Sequence, residues 1–407
     1  MLAHWIWLST KPAIQERTAL NILQSFPDIS ALYHARDYSC VEGITKKVVS
    51  QLMDKSLDYA SAVIQLCKER KIQILTYADS AYPSRLKNIY DPPLVLYYKG
   101  QLPEFDAEAA IAVVGTRKAT TYGCVVAKRM GYQITKCGGL VVTGLAAGID
   151  GMAAQGALIA NGAPVGVLGC GVDVVYPRFQ EKLFQIVERK GCLISEFTPG
   201  TPPNGWNFPK RNRLLSGLSC GVVVVEAPAK SGALITAQHA LDQGRDVFAV
   251  PGNVGGFASA GSNQLLRSGA IVAQHGWDVM SEYVDLFPGK VYRWLSRIEW
   301  EDFPQDVIEL RETPKLAATG QRFRQPAEKS VDNSSRTPYH VSQQDLSGLS
   351  AQERAVYAVL TSEPQQIDQI IVRSGLNASE VLASITLLEV KGMITRHPGK
   401  YYSQAKK

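Results

Sequence analysis

The cations Lys210, Arg211 and Arg213 crowd into one short block, with Asn212 between them. They stand just ahead of an apolar run, Val222–Ala227, whose one charged member is Glu226. A Ser231-Gly232 turn follows, and apolar residues then recur at helical spacing over Ala233–Leu241. A strand that delivers a small-residue turn to a helix N-terminus makes an anion site, because unpaired N–H groups and the helix dipole point the same way. The cations upstream make phosphate the expected anion, and a phosphate polymer a fitting carrier. A second stretch of the same kind is Gly115-Thr116-Arg117-Lys118, which closes the apolar run Ile111–Gly115.

Catalysis is the other chemistry to weigh. Only His239 lies among these motifs, and an offset of eight residues from Ser231 along a helix puts the two about 12 Å apart. That makes His239 a helix-face residue rather than a base for Ser231. Asp150, Asp173, Glu196 and Glu226 fall at the ends of apolar runs, where they can act as acids or bases. They can equally cap helices or pair with the arginines, and the structural roles are the preferred reading. No nucleophile–base pair stands out, so no catalytic residue is assigned. The competing reading is a nucleotide or phosphoribosyl hydrolase that uses Glu226 beside the Ser231-Gly232 turn.

The elements that must position these residues alternate. Strand-like runs are Ile111–Gly115, Leu140–Gly144, Pro164–Gly169, Cys192–Glu196, Val222–Ala227, Val247–Pro251 and Ala270–Ala273, with helical patterns between most of them. Strands apolar on both faces, alternating with helices, imply a parallel sheet covered on both sides. The fold expected over 71–288 is therefore α/β, a Rossmann-like doubly wound parallel sheet with its ligand at the carboxyl ends of the strands. Ile72–Tyr77 and Leu94–Tyr98 read as two further strands that enter this domain. Several run ends are Gly-rich, yet none is a full G-x-G-x-x-G, and no Walker lysine follows. No cofactor is expected.

Residues 1 to about 70 form a helical module of the SAM or helix-hairpin-helix sort. Within it, Val41–Lys47 is either a nucleic-acid-gripping hairpin or, the preferred reading, a helix start after a Gly turn. Residues 289–345 are a flexible linker, rich in Pro, Ser, Thr, Gln and Asn over 310–345. Order returns with helical patterns at Ala351–Leu360, Ile367–Ser374 and Ser379–Lys391, then Met393–Thr395 and Tyr401-Tyr402. Three helices and a hairpin predict a winged helix over 346–407. Its third helix offers only Lys391 as a cation, which is poor equipment for reading a major groove. Protein binding or self-association is the expected role, with Arg396 and Lys400 giving weak DNA contact at most.

The 407 residues are 45% hydrophobic and 20% charged, an ordinary globular balance, and the net charge of +6 permits a polyanion partner without demanding one. Seven cysteines without a C-x-x-C pair predict reduced core thiols and no metal site. The start lacks a signal-peptide pattern and no apolar run is long enough to span a bilayer, so a cytoplasmic protein without membrane contact is expected.

These blocks together resemble one family. GTRKATTYG (115–123), TGLAAGIDGMAAQGAL (143–158), GCGVDVVYP (169–177), ISEFTPGTPP (194–203), FPKRNR (208–213), VVVEAPAKSGALITA (223–237) and GRDVFAVPG (244–252) are similar, in order, to the DprA/Smf family of bacterial DNA-processing proteins. YADSAYPSRL (77–86) and DPPLVLYYKG (91–100) extend the likeness forward. The resemblance implies a homodimer that binds single-stranded DNA and loads a RecA-type recombinase onto it in natural transformation, with no established catalytic activity. It places Arg117 on DNA phosphate, Lys210, Arg211 and Arg213 beside the same pocket, and Lys182 near a family lysine position. Ala147 and Ala154 stand where the family usually has Arg and His, which removes a cation from the rim. Tyr122, Phe197, Trp206 and Phe208 are candidate base-stacking aromatics, with core packing as the alternative for each.

Overall fold

The structure, a computed structural model, describes residues 1–292, 349–363, 365–376, 378–397 and 401–405. The chain divides into two compact units, residues 1–319 and 320–407. Apart from 289–292, the linker expected at 289–345 lies outside the described residues.

The first unit begins with helices α1 (Leu2–Ser9), α2 (Glu16–Gln24), α3 (Ile29–His34), α4 (Lys46–Met53) and α5 (Asp58–Glu69). Helix α4 starts after the positive-φ Gly43, and Thr45 caps it by accepting from Val48 N. Strand β1 (Gln73–Thr76), helix α6 (Ser84–Lys87) and strand β2 (Val95–Gly100) follow. Strands and helices then alternate: β3 (Ala110–Val114), α7 (Thr121–Lys136), β4 (Leu140–Thr143), α8 (Ile149–Ile159), β5 (Val165–Val167) and α9 (Glu181–Lys190). The series continues with β6 (Cys192–Ser195), α10 (Asn207–Gly217), β7 (Gly221–Val224), α11 (Gly232–Asp242), β8 (Asp246–Ala249), α12 (Ala260–Arg267), β9 (Ile271–Val272) and α13 (Gly276–Met280).

One sheet holds these strands in the order β1-β2-β6-β5-β4-β3-β7-β8-β9. The pairs from β6 to β9 are parallel, as helical crossovers require, while β1 and β2 add an antiparallel edge. Alternate residues go to opposite faces: Ala110, Ala112, Val222 and Val224 join one core, and Ile111, Val113, Val223 and Val225 another. Burial on both faces is what the unbroken apolar runs encode. The strands stop short of those runs, β7 at Val224 for example, because the chain ends turn to link neighbouring loops: Thr116 N donates to Glu226 O at 2.7 Å.

The helical module at 1–70 does not stand apart from the sheet. Trp5, Trp7, Leu32 and Leu52 share one hydrophobic cluster with Val95 and Tyr97 of β2 and Leu183 and Phe184 of α9. Each large apolar side chain buried there stabilises the junction by about 1.5–3 kcal/mol.

The second unit comprises α14 (Ala351–Val359), β10 (Gln365–Gln366), α15 (Ile367–Ser374), α16 (Ala378–Val390), β11 (Ile394–His397) and β12 (Tyr401–Gln404). Its small sheet runs β10-β12-β11, all antiparallel, over a core that includes Val356, Ile370, Val381, Ile385 and Leu388. Lys391, just past α16, pairs with the nearly buried Glu353 at 2.7 Å. The side chain of Arg396 and the whole of Lys400 lie outside the described residues.

Candidate nucleic-acid interface

Strand β3 has β4 on one side and β7 on the other, so successive connections diverge at its carboxyl end. Open α/β sheets place a ligand crevice at such a switch point. A cleft of about 650 Å³ lies there, lined from the ends of β3 (Gly115, Thr116, Arg117), β4 (Ala146, Asp150) and β7 (Pro228, Lys230, Ser231, Gly232). Tyr176 and the first turns of α10 (Phe208, Pro209, Arg211, Asn212) complete the wall.

Local sequence explains this opening. Gly148 has φ +77, and a Cβ there would meet Thr116 O at 2.4 Å, so only glycine lets the β3 and β4 loops touch. Ser231 caps α11 by accepting from Ala233 N. Open space surrounds the exposed Gly232 where a Cβ would project, so a guest can reach the backbone at this helix start. Arg117 is exposed and its guanidinium sits 4.5 Å from the centre of the Phe208 ring, a cation–π stack at the mouth. Tyr176, 37% exposed, packs against the same ring at 5.5 Å.

The basic block corrects the expectation that three cations line the approach, because it lies on a helix, α10, and its members point different ways. Arg211 is buried against the cleft floor. It donates to the carbonyls of Gly144, at 3.1 Å, and Val167, and it faces Asp150. Burial pulls its guanidinium down to about 10, against the pull of Asp150. Burial likewise pushes the Asp150 carboxyl up, while Arg211 and backbone amides hold it down. Arg213 is away from the cleft lining, its side chain only 4% exposed, with Nε on Asp91 at 2.9 Å and Nη2 on Glu196 at 2.7 Å. Burial works against its charge, but Glu196, Asp91 and Glu16 outweigh that and hold it above its ordinary range. Lys210 is half-exposed and reaches Glu16 of α2 at 2.5 Å. Lys210 therefore clamps α10 to α2, Arg213 ties it to the loops that hold Asp91 and Glu196, and Asn212 donates to Gly232 O at 3.2 Å, joining α10 to α11.

Of the residues singled out in the sequence, the structure brings Gly115, Arg117, Arg211, Asn212, Ser231 and Gly232 to one cleft. Lys118 and Lys182 are exposed but outside its lining. Lys230, exposed on the rim, and Tyr176 were missed, although each adjoins a motif that was read. Trp206 is 75% exposed next to the lining residue Gly205, whereas Phe197 lines a different cavity. Tyr122, half-exposed, donates to Pro251 O at 3.1 Å. The carboxylates take structural roles: Glu226 accepts from Thr120 N and Oγ1, both at 2.8 Å, at the start of α7, and Asp173 pairs with Arg70. His239 is half-buried on α11, outside the cleft lining, and burial lowers its pKa. Ala154 is fully buried within α8. Among the described residues no helix is long and apolar enough to cross a membrane.

A family model described as DNA recombination-mediator protein A matches residues 73–284, which hold the whole cleft. A second, the DprA winged helix domain, matches residues 341–400. Protein Smf of Synechocystis sp. is 31% identical over 417 residues, covering 99% of this chain and 98% of the relative. DNA processing protein DprA of Bacillus subtilis is 40% identical over 220 residues, 54% of this chain and 74% of the relative. The X-ray structure of DNA processing protein A from Streptococcus pneumoniae superposes with a TM-score of 0.61 at 31% identity, covering 69% of this chain and 98% of that one. On its sheet, its cleft and its full-length match, the chain belongs to the DprA/Smf family.

Proposed function

We propose that this protein acts in DNA processing by binding single-stranded DNA along the switch-point cleft and loading a RecA-type recombinase onto it during natural transformation. It does so as a cytoplasmic homodimer and without catalysing a reaction on the strand. The observation that carries the binding reading is the cleft mouth, where exposed Arg117 stacks on Phe208 beside Tyr176 and exposed Lys230 lines the same cleft. Cations beside aromatic rings suit a flexible strand, because phosphates meet the charges and unstacked bases find π-faces. Duplex DNA presents its bases already stacked and gains less. The relatives named DNA processing proteins support the same direction.

The hydrolase reading is disfavoured by the position of Glu226. Both of its oxygens are engaged by Thr120, and it does not line the cleft.

The test is a salt-titrated comparison of single-stranded DNA, duplex DNA and mononucleotides. Single strands are expected to bind most tightly, and Arg117→Ala to weaken them with the salt slope reduced by about 0.7. Unchanged affinity in Arg117→Ala would remove this site, and mononucleotide turnover would restore the hydrolase. Recombinase loading is read separately, as faster filament nucleation on strands precoated with a single-strand-binding protein.

A further inference from the structure

The loop at 54–57, between α4 and α5, carries a lysine, Lys55, that is held at both ends. Its backbone is gripped from three sides. Trp7 Nε1 donates to Asp54 O at 2.7 Å, Lys11 Nζ to the same oxygen at 2.9 Å, and Tyr33 Oη to Lys55 O at 2.6 Å. Its Nζ lies 5.1, 5.3 and 5.2 Å from the ring centres of Trp7, Tyr33 and Tyr38, and donates to Tyr38 Oη at 2.5 Å. Among the described residues no carboxylate pairs with it, and the neighbouring Asp54 is taken by Lys11 at 2.9 Å. Lys11 also lies over the Trp7 ring, at 5.2 Å, so one indole faces two cations. Two influences compete for the proton on Lys55. The rings attract the charged form. Burial and the charge of Lys11 oppose it, and they pull the amine down to about 8. His4 of α1, stacked on Tyr33 at 4.1 Å, is the other titratable group here, and burial holds it in its neutral form.

We propose that Lys55 is an acylation site of the N-terminal module, modified directly by an acyl phosphate. A fixed amine that is partly neutral near neutral pH is a nucleophile. Lys55 is half-buried rather than enclosed, so a small reagent has a way in. The class of reagent follows from charge. Lys11 and Lys55 make the spot positive, which draws a reagent whose leaving group is a phosphate dianion. In the step, neutral Nζ attacks the acyl carbon and a C–N bond forms. The C–O bond to phosphate breaks with its electron pair, and the phosphate leaves with the proton given up by nitrogen. The product amide has no charge for the rings to attract. Trp7 and Tyr38 belong to the cluster that joins the module to β2 and α9, so acylation loosens that junction. The site is independent of the cleft, whose lining includes none of these residues.

The experiment treats the full chain with acetyl phosphate and follows each lysine by peptide mass spectrometry across pH. At pH 7 Lys55 is expected to react about tenfold faster than the exposed Lys46 and Lys47 of α4, because an ordinary lysine, at about 10.4, is almost wholly protonated there. Its rate should level off above about pH 8, where an ordinary lysine still gains. Lys11→Gln removes the second cation and should slow Lys55 several-fold. Asp54→Asn, on an exposed side chain, frees the charge of Lys11 and should speed it, which covers the case in which Lys11→Gln fails to fold. Treatment should lower the unfolding midpoint of the natural chain and leave that of Lys55→Arg in place. A rate at Lys55 no greater than at Lys46 and Lys47 overturns the proposal, since the rings then keep the proton or the amine is closed to reagent. So does a rate that climbs to about pH 10, an unchanged rate in the folded variants, or a midpoint loss that persists in Lys55→Arg.

Discussion

Two sets of cations on this fold differ in what engages them. Arg117 and Lys230 are exposed at the mouth of the switch-point cleft. Lys210 and Arg213 lie on the outer face of α10, engaged by Glu16, Glu196 and Asp91. The difference teaches that positive charge becomes a polyanion site only where no carboxylate has claimed it first. An exposed cation exchanges condensed counterions for phosphate, whereas a cation in a buried pair must first abandon its partner.

That contrast can be broken experimentally, and the largest effect belongs to the buried side. Arg213→Ala leaves the buried Glu196 with the more distant Lys210, 3.7 Å away, and its stability loss should be about 3–5 kcal/mol, read from denaturant midpoints. The affinity of the remaining folded protein for single-stranded DNA should hardly move. A large affinity loss at unchanged stability would put Arg213 on the DNA and abolish the distinction.

Lys230→Ala and Lys210→Ala form the sharpest pair, since each removes one lysine. Lys230→Ala should weaken single-strand binding across sequences by about 1 kcal/mol and lower the salt slope by about 0.7, with the unfolding midpoint unchanged. Lys210→Ala should lower the midpoint instead and leave the slope alone. Equal salt slopes for the two variants would show that Lys210 is free to meet phosphate in solution.

The smallest effect tests the clamp by pH. Burial raises the Glu16 carboxyl, but the Lys210 hydrogen bond and charge, with Arg213, bring it below its ordinary range. A depressed carboxyl stabilises the fold above its unfolded value and loses that contribution as pH falls through the folded one. Glu16→Gln should therefore destabilise at about pH 7, by about 1 kcal/mol or less given its partial exposure, and the difference should shrink as pH falls through the depressed carboxyl. A loss that does not change with pH would mean that Glu16 acts through packing rather than charge.

Much of the sheet was legible because parallel strands buried on both faces must be apolar throughout, and each such run became a strand. The turn at Ser231-Gly232 was legible for a similar reason, since a hydroxyl cap and a bare backbone are local chemistry. The helix under 208–213 was not read, although Pro209 in a first turn and the three-residue spacing of Lys210 and Arg213 are helix signals. With that helix assigned, the sequence already separates Lys210 and Arg213 from Phe208 and Arg211. Lys230 escaped because a lysine in a loop has no periodic signature. Glu226 was read as a structural carboxylate, and its bonds to Thr120 agree.

By itself, then, the sequence determined the layered α/β architecture, the edge of the sheet at which the cleft opens, and the family. Those follow from apolar periodicity and turn chemistry, which act over a few residues. Only the tertiary structure decided which cations are free. That depends on acids distant along the chain: Glu16 lies on α2 and Asp91 before β2, yet both converge on α10. Pairing is a property of distance in space, and the fold alone sets that distance.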